Sequence, residues 1–310
     1  MIIILEGPDG AGKTTLANQL HLLLPYSWRL HRGPLRRDPF DEYEADLETW
    51  DGYTPIICDR WHLGELIYGP ILRGASQLDK VARWHIEAFL LARGALQVII
   101  TAPLAELRQR LNARGDELVT PEMLYEISDG YFAAMEGNFL STLICDDPIN
   151  VPSILALAAD CWAHAHALRS FPSYVGSPTP RYLLLGEKRH DNTVGPAFVP
   201  AAGTSGRFLL EHLLPALPGD VEIGLANASE ENVVDLWHSL GRPKVCALGD
   251  VAYDQVMADI NERGGHAFPL GATAHPQFVR RFHNRSGAQY ARTILSALES
   301  SEDLRSWRPA

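Results

Sequence analysis

Hydrophobic positions alternate along the chain between two patterns. Short runs of aliphatic and β-branched residues, typical of buried strands, are separated by longer stretches with helical spacing of apolar residues. In residues 1–170 the short runs predict strands at 2–6, 28–31, 55–59, 96–101 and 142–145. The longer stretches predict helices at 13–24, 41–49, 78–92, 104–113, 121–136 and 153–168. Strands that alternate with helices in this way predict an α/β domain with a doubly wound parallel sheet.

The same alternation starts again after residue 180. The predicted strands are at 182–185, 222–226, 244–248 and 267–270, and the predicted helices at 205–213, 231–240, 251–262, 277–282 and 288–298. The segment 171–180 between the two series is rich in Pro, Ser and Gly, which is typical of a linker. The 310-residue chain therefore predicts two domains, 1–170 and a smaller α/β/α domain at 181–310.

Composition narrows the class of protein. With 46% hydrophobic and 21% charged residues, the chain is not disordered, collagen-like or a coiled coil. The four cysteines include no C-x-x-C pair, which disfavours a disulfide framework or a zinc site. No apolar stretch approaches the roughly 18–20 residues of a membrane span. We therefore expect a cytoplasmic protein, in the host cytoplasm if the source is viral, with no membrane partner.

Charge is divided unevenly between the two predicted domains. The net charge of −11 disfavours a general nucleic-acid binder. Residues 1–170 carry 14 basic and 23 acidic side chains, a net charge of −9, whereas residues 171–310 carry 13 and 15, a net charge of −2. Basic side chains of the second part gather at 188–190 and again at Arg280, Arg281, His283, Arg285 and Arg292. Each group is either a solvated face or a site for DNA phosphates.

Residues 7–14 fit the phosphate-loop pattern G-x-x-x-x-G-K-[ST] in full, between a predicted strand and a predicted helix. Backbone N–H groups and a helix N-terminus bind phosphates in such loops, while Lys13 would bridge the terminal phosphates and Thr14 would ligate Mg²⁺. The pattern therefore predicts ATP or GTP and Mg²⁺ as ligands. The residues expected to bind the nucleotide are Gly7, Pro8, Asp9, Gly10, Ala11, Gly12, Lys13, Thr14 and Thr15.

Residues 6–15 read EGPDGAGKTT, and residues 59–61 read Asp-Arg-Trp. The first segment is similar to the phosphate loop of thymidylate kinases, and the second resembles the Asp-Arg-aromatic motif of the same family. The resemblance covers about residues 1–165. It implies that Asp9 lies beside the acceptor nucleotide, that Asp59 serves the Mg²⁺ shell with Thr14, and that Arg60 holds the acceptor phosphate. An ion pair that closes a strand is the alternative role for Asp59.

A third segment, 111–117, is placed like the mobile lid of these kinases. Arg114 is expected to neutralise charge on the transferring phosphoryl group. Arg108 and Arg110 would do the same or lie on a solvated helix face.

The acceptor region departs from the family pattern at 31–34, which read HRGP, and at 62–70. These departures leave the substrate open. Arg32, Tyr68 and Arg73 are expected to bind the acceptor, and Asp9 or Glu65 to accept the hydroxyl proton.

The second predicted domain carries LLGE at 184–187, GPAFVP at 195–200, SGRFL at 205–209, Asn227 after a strand, and His275-Pro276. In this order the segments resemble the uracil-DNA glycosylase superfamily. The resemblance implies that Phe198 stacks on an extruded base, that Asn227 reads the edge of the base and that His275 presses on DNA. The phosphate contacts would come from Arg280, Arg281 and Arg285.

Ordinary roles are the alternative for these residues: a core aromatic, a turn cap and a simple loop. The stretch 186–192, GEKRHDN, lacks the Gly-x-x-Pro-Gly turn of the glycosylases, so base excision is not expected.

Three functions fit these patterns. The favoured one is an ATP-dependent kinase that phosphorylates a hydroxyl of a thymine-type pyrimidine in DNA, resembling the 5-hydroxymethyluracil DNA kinases of bacteriophages. The second is a kinase of free deoxynucleoside monophosphates such as dTMP, whose added domain binds a partner or forms a homodimer. The third is a DNA-binding or residual glycosylase protein with an ATP switch.

Overall fold

The computed structural model divides the chain into two compact units, residues 1–165 and 166–310. The structure describes residues 1–31, 42–43, 45, 53–115, 119–135, 140–146, 150–187, 196–201, 203–218, 221–263, 268–282 and 286–300. Among these residues, no helix has the length and apolar character that crossing a membrane requires.

The first unit is built on a five-stranded parallel sheet in the order β2-β3-β1-β4-β5. Its strands are β1 (Ile2–Glu6), β2 (Trp28–His31), β3 (Ile56–Asp59), β4 (Ala95–Ile100) and β5 (Ser141–Cys145). Every residue of β1 and β4 is buried, which explains why these strands are almost continuously apolar. The predicted parallel α/β sheet of this unit is confirmed.

Helices cover this sheet. They are α1 (Lys13–Leu23), α2 (His62–Arg73), α3 (Lys80–Ala92), α4 (Leu104–Arg114), α5 (Pro121–Ala134) and α6 (Val151–His164). One cluster of buried side chains joins the sheet to α1, α4 and α6, and a second joins it to α2 and α5. The helix predicted at 41–49 lies mostly outside the described residues.

Helix α2 is absent from the sequence prediction. Its segment contains Gly64, Gly69 and Pro70, which all have low helix propensity. Gly69 is required by packing, because a Cβ there would lie 2.8 Å from Oε1 of Glu65 and 2.9 Å from Cα of Ser76. Close packing against the turn that follows the helix therefore requires glycine here in spite of its low helix propensity.

The second unit contains a mixed sheet in the order β10-β9-β7-β8-β6. Its strands are β6 (Val175–Gly176), β7 (Tyr182–Gly186), β8 (Ile223–Asn227), β9 (Lys244–Leu248) and β10 (Leu270–Thr273). Its α-helices are α7 (Ser205–Leu213), α8 (Val233–Ser239), α9 (Asp250–Arg263), α10 (Pro276–Phe282) and α11 (Gly287–Glu299), and 3-10 helices span Ala167–Ser170 and Leu214–Ala216. Strands β7 to β10 are parallel, whereas β6 pairs antiparallel with β8.

The segment 171–180, predicted as a linker, lies inside the second unit. Val175 and Gly176 pair with Leu225 and Gly224 in the sheet. Tyr174, just before them, is fully buried and donates a 2.5 Å hydrogen bond to the carbonyl of Ser177. Gly176 lets this edge strand lie close to β8, because a Cβ there would lie 2.4 Å from the carbonyl oxygen of Ile223, and the division between the units falls at 165–166 instead.

Strand β10 begins at Leu270, where the predicted strand 267–270 ends. The observed strand includes Gly271, which lies beyond the predicted one. A Cβ at this position would lie 2.5 Å from the carbonyl oxygen of Ala297 in α11. Glycine therefore allows this helix to pack closely on the strand.

Candidate active site

The loop between β1 and α1 lies at the carboxyl end of the central strands, where doubly wound folds bind ligands. Its glycines Gly7, Gly10 and Gly12 have φ angles of 137°, 83° and 104°, which side chains rarely adopt. At Gly7, a Cβ would also lie 2.2 Å from the carbonyl oxygen of Ile100 in β4. The phosphate-loop sequence thus specifies a backbone that only glycine can form here.

Lys13 is the buried cation of this loop. Its Nζ donates hydrogen bonds of 2.6 and 2.7 Å to the carbonyl oxygens of Gly7 and Pro8. Burial, together with the charge of Arg60, lowers the pKa of Lys13 to about 8, and nearby carboxylates oppose only part of this shift. The charged amine is therefore poorly compensated in the free protein and would gain from a phosphate anion.

Thr14 and Asp59 bring two oxygen ligands together. The Thr14 hydroxyl donates a 2.8 Å hydrogen bond to Oδ2 of Asp59, whose side chain is buried at the end of β3. Mg²⁺ at nucleotide sites takes one or two such ligands and completes its shell with phosphates and water. A hydroxyl beside a carboxylate fits this chemistry. Among the described residues, no group of three or more His, Cys, Asp or Glu side chains is placed to hold a metal ion.

Arg60 forms an ion pair with Asp9 of the loop. Its guanidinium carbon lies 5.8 Å from the ring centre of Tyr68, and the backbone N–H of Asp9 donates a 3.1 Å hydrogen bond to the Tyr68 hydroxyl. Burial and the charge of Asp9 raise the pKa of Tyr68. Arg60 adopts a φ of 70°, an uncommon value for a long side chain, while its N–H still bonds to the carbonyl of Leu5. The loop and the Asp-Arg-aromatic motif thus form one cluster.

Glu6 caps helix α2 from the end of β1. Its fully buried Oε1 accepts hydrogen bonds from the backbone N–H groups of Trp61, Leu63 and Gly64 at 2.9, 3.1 and 3.4 Å, and its Oε2 accepts one from the Tyr131 hydroxyl at 3.3 Å. A carboxylate suits a helix N-terminus because it satisfies free N–H groups and the helix dipole. Sequence reasoning gave Glu6 no role, although an acidic residue that ends a buried strand was a usable signal.

Glu65 and Arg73 bind each other on α2. Arg73 donates 2.6 Å hydrogen bonds to both carboxylate oxygens of Glu65, and the N–H of Gln77 adds another at 2.8 Å. Glu65 is thus committed to an ion pair along the helix, while Asp9 lies with Arg60 at the loop. Arg32, the remaining residue expected to bind the acceptor, lies outside the described residues.

Arg110 in α4 contacts the phosphate loop. It donates a 3.0 Å hydrogen bond to the carbonyl of Gly10 and pairs with Glu106 one turn earlier. Arg114 is exposed at the end of the helix, and residues 116–118 of the expected lid lie outside the described residues. The structure therefore places Arg110, which the sequence left between two roles, against the loop.

In the second unit, Phe198 and Asn227 both lie near the carboxyl ends of the parallel strands β7 and β8. Gly186 pairs with Asn227 at the ends of β7 and β8, and a Cβ at Gly186 would lie 2.6 Å from Cζ of Phe198. The Asn227 side chain is buried and donates a 3.2 Å hydrogen bond to Glu230. His275 follows β10 at the same end of the sheet, and burial lowers the pKa of its ring despite the charge of Glu187.

The basic residues near His275 differ in their contacts. Arg280 donates a hydrogen bond to the carbonyl of Gly203, while Arg281 is exposed on α10. Arg285 lies outside the described residues.

No protein-family model and no curated protein matches this chain. Several solved structures are similar to part of it. The YorR protein of Bacillus subtilis, solved in complex with phosphorylated GDP, is 26% identical with a TM-score of 0.42, and the match covers 52% of this chain and 92% of YorR. Deoxyadenosine kinase from M. mycoides with bound dATP is 16% identical with a TM-score of 0.35, covering 52% and 97%. Thymidylate kinase from Ehrlichia chaffeensis is 15% identical with a TM-score of 0.30, covering 52% and 95%.

Proposed function

We propose that this protein is a Mg²⁺-dependent kinase that transfers the γ-phosphoryl group of ATP to a hydroxyl of a thymine-type pyrimidine, with 5-hydroxymethyluracil in DNA as the favoured acceptor. The observation that carries the proposal is the single cluster at the phosphate loop. The site would then contain a cation for the phosphates, Lys13, and two metal ligands, Thr14 and Asp59. Arg60, now paired with Asp9, would bind the acceptor phosphate.

Lys13 is the residue that would hold the terminal phosphates. Its amine would exchange the carbonyls of Gly7 and Pro8 for phosphate oxygens, which relieves the burial of an uncompensated charge. Thr14 and Asp59 would hold Mg²⁺, which when bound neutralises charge on the β- and γ-phosphates. Arg110 would keep the loop in place through Gly10.

Asp9 and Arg60 are proposed to separate when the acceptor binds. A phosphate of the acceptor would compete with Asp9 for Arg60 and so free the carboxylate. In the proposed reaction the acceptor oxygen bonds to the γ-phosphorus, the bond to the β–γ bridging oxygen breaks, ADP leaves, and Asp9 takes the hydroxyl proton. Most of the rate enhancement would come from positioning and charge stabilisation.

DNA is the favoured acceptor because of the second unit. Phe198 lies against Gly186, which pairs with Asn227 at the ends of β7 and β8, so a ring for stacking and an amide for edge recognition of an extruded base come from the same end of one sheet. Arg281 is exposed on the helix that follows His275, where it can reach a phosphate.

The test is phosphate transfer from labelled ATP to DNA that contains 5-hydroxymethyluracil, with the same DNA containing thymine as a control. Transfer to the first DNA alone is expected, and Lys13→Met should abolish it. ATP turnover without any phosphorylated acceptor, or release of free uracil, would contradict a kinase and favour an ATP switch or a residual glycosylase.

A free deoxynucleoside monophosphate kinase is the second candidate. The observation that favours it is the position of Arg60, which can bind a monophosphate within the first unit alone, together with the net charge of −9 on residues 1–170. Transfer to dTMP at a rate that does not depend on DNA would establish it.

If the protein is a DNA kinase, Arg281→Ala should weaken DNA binding. The slope of log K against log salt concentration should become shallower by about one, as expected for the loss of one phosphate contact.

A further inference from the structure

An open cleft of about 550 Å³ lies in the first unit beside the phosphate loop, and its lining residues include Pro8 of the loop but neither Asp9 nor Arg60. Pro8 of the loop forms one end. Leu104 and its neighbours at the start of α4 form one wall, one face of α5 forms the other, and Asp146 after β5 closes the far side. The volume falls within the roughly 300–1,000 Å³ of small-molecule sites.

The face of α5 that lines the cleft carries a regular set of side chains. Tyr125, Ser128, Asp129 and Phe132 follow the spacing i, i+3, i+4 and i+7, so they lie on one side of the helix. Tyr125 and Phe132 are 61% and 48% exposed, although both are large and aromatic. The Ser128 hydroxyl is buried, and no described residue hydrogen-bonds to it. Two rings thus flank two polar groups.

The charged side chains of the cleft indicate which class of ligand it can bind. The charged side chains among its lining residues are Asp129 and Asp146, and the Thr101 hydroxyl already donates to Asp146. Two carboxylates repel a phosphate but accept hydrogen bonds from N–H groups. With apolar walls and aromatic rings, they fit an uncharged planar ring that has N–H donors, which describes a nucleobase.

We propose that this cleft holds the acceptor pyrimidine during phosphate transfer, after the base has been recognised at Phe198 and Asn227 of the second unit, an inference that rests on the proposed kinase function. If the reactive hydroxyl is carried on the base, the base must lie next to the phosphate loop. The cleft begins at Pro8, one residue before Asp9, the proposed proton acceptor. A base in the cleft therefore brings its 5-substituent to the loop.

In this arrangement the side chains of α5 have distinct tasks. Phe132 and Tyr125 stack on the ring, and Asp129 accepts the ring N–H.

The experiment measures binding of 5-hydroxymethyl-2′-deoxyuridine, thymidine and adenosine to the full chain by titration calorimetry. Phe132→Ala should weaken binding of the two pyrimidine nucleosides at least about 5-fold, the effect typical for removal of a stacked ring. Asp129→Asn should weaken it by a similar factor, because a charged acceptor makes a stronger hydrogen bond than a neutral amide oxygen. Glu126→Gln is the matched control, because Glu126 is an exposed acidic residue of α5 that does not line the cleft. It should change the affinity less than about 2-fold.

The outcomes separate this inference from the kinase proposal. Pyrimidine binding that depends on Phe132 and Asp129 supports the cleft even if no acceptor is phosphorylated. If phosphate transfer occurs but both variants keep the wild-type KM and nucleoside affinity, the cleft is not the acceptor site while the kinase stands. If the variants weaken adenosine binding and leave the pyrimidines unchanged, the cleft holds the base of ATP and the inference is overturned.

Discussion

Replacing Lys13 with methionine should abolish phosphate transfer and also remove an energetic cost from the folded protein. Lys13 is buried, and burial with the charge of Arg60 lowers its pKa from 10.5 to about 8. A shift of this size corresponds to about 3 kcal/mol by which folding disfavours the charged amine. Methionine keeps a similar length without the charge, but it also loses the hydrogen bonds to Gly7 and Pro8, so the pH dependence is the cleaner measure.

The sign of that dependence follows from proton binding. Between pH 8 and 10.5 the unfolded chain holds a proton on Lys13 that the folded protein has released, so wild-type stability rises with pH in this window. Relative to Lys13→Met, the wild type should gain about 2 kcal/mol in its free energy of unfolding between about pH 7 and pH 9.5. Below the folded pKa both states carry the proton and the difference should be constant.

Urea unfolding followed by circular dichroism at several pH values from about 7 to 9.5 tests this expectation. The matched control is Lys80→Met, which removes an exposed lysine charge at the start of α3, away from the phosphate loop. A constant difference between wild type and Lys13→Met would refute the buried, low-pKa amine. Normal turnover by Lys13→Met would refute its role in phosphate binding.

Three further pairs of substitutions test backbone and capping contacts by urea unfolding. Arg60→Gly should be about 1 kcal/mol more stable than Arg60→Ala, because glycine adopts a φ of 70° more readily. Glu6→Ala should cost at least about 3 kcal/mol, because it leaves buried N–H groups of α2 unpaired, whereas Tyr131→Phe should cost about 1 kcal/mol. Gly176→Ala should cost about 3 kcal/mol or more, because its Cβ would lie 2.4 Å from a carbonyl oxygen. Gly241→Ala, with a φ of 76° and open space, should cost about 1 kcal/mol.

Each of these expectations has a contrary result. Equal stability of the two Arg60 variants would mean that the backbone there relaxes on substitution. If Glu6→Ala costs no more than Tyr131→Phe, water replaces the cap of α2. If Gly176→Ala behaves like Gly241→Ala, the segment 171–180 is not tightly held in the sheet.

Local patterns were enough for the strands of the first sheet and for the phosphate loop. Strand β1 begins as an unbroken apolar run. The glycines of the loop are explained by their own backbone conformation, because their positive φ angles favour glycine. Helix α2 was missed because it contains two glycines and a proline and is stabilised by Glu6, which lies 55 residues away from Trp61 in the chain. Helix propensity is a property of single residues and does not reflect contacts with distant parts of the chain.

In the site, too, some residues could be predicted from local motifs, whereas others depend on contacts between distant parts of the chain. Lys13 and Thr14 follow from the motif, and Asp59 from the resemblance. The pairing of Arg60 with Asp9 joins residues 51 positions apart, and the contact of Arg110 with Gly10 joins residues 100 positions apart. Strand β6 was hidden in the same way, since Gly176 reads as a loop residue until β8 is placed beside it.

The position of Glu6 limits how the first unit can move. One carboxylate holds the end of β1, which leads into the phosphate loop, and the start of α2, which carries Tyr68. A hinge between the loop and this helix would break several buried hydrogen bonds at once. The two therefore move as one rigid body, and any closure over substrates has to take place in other segments of the unit.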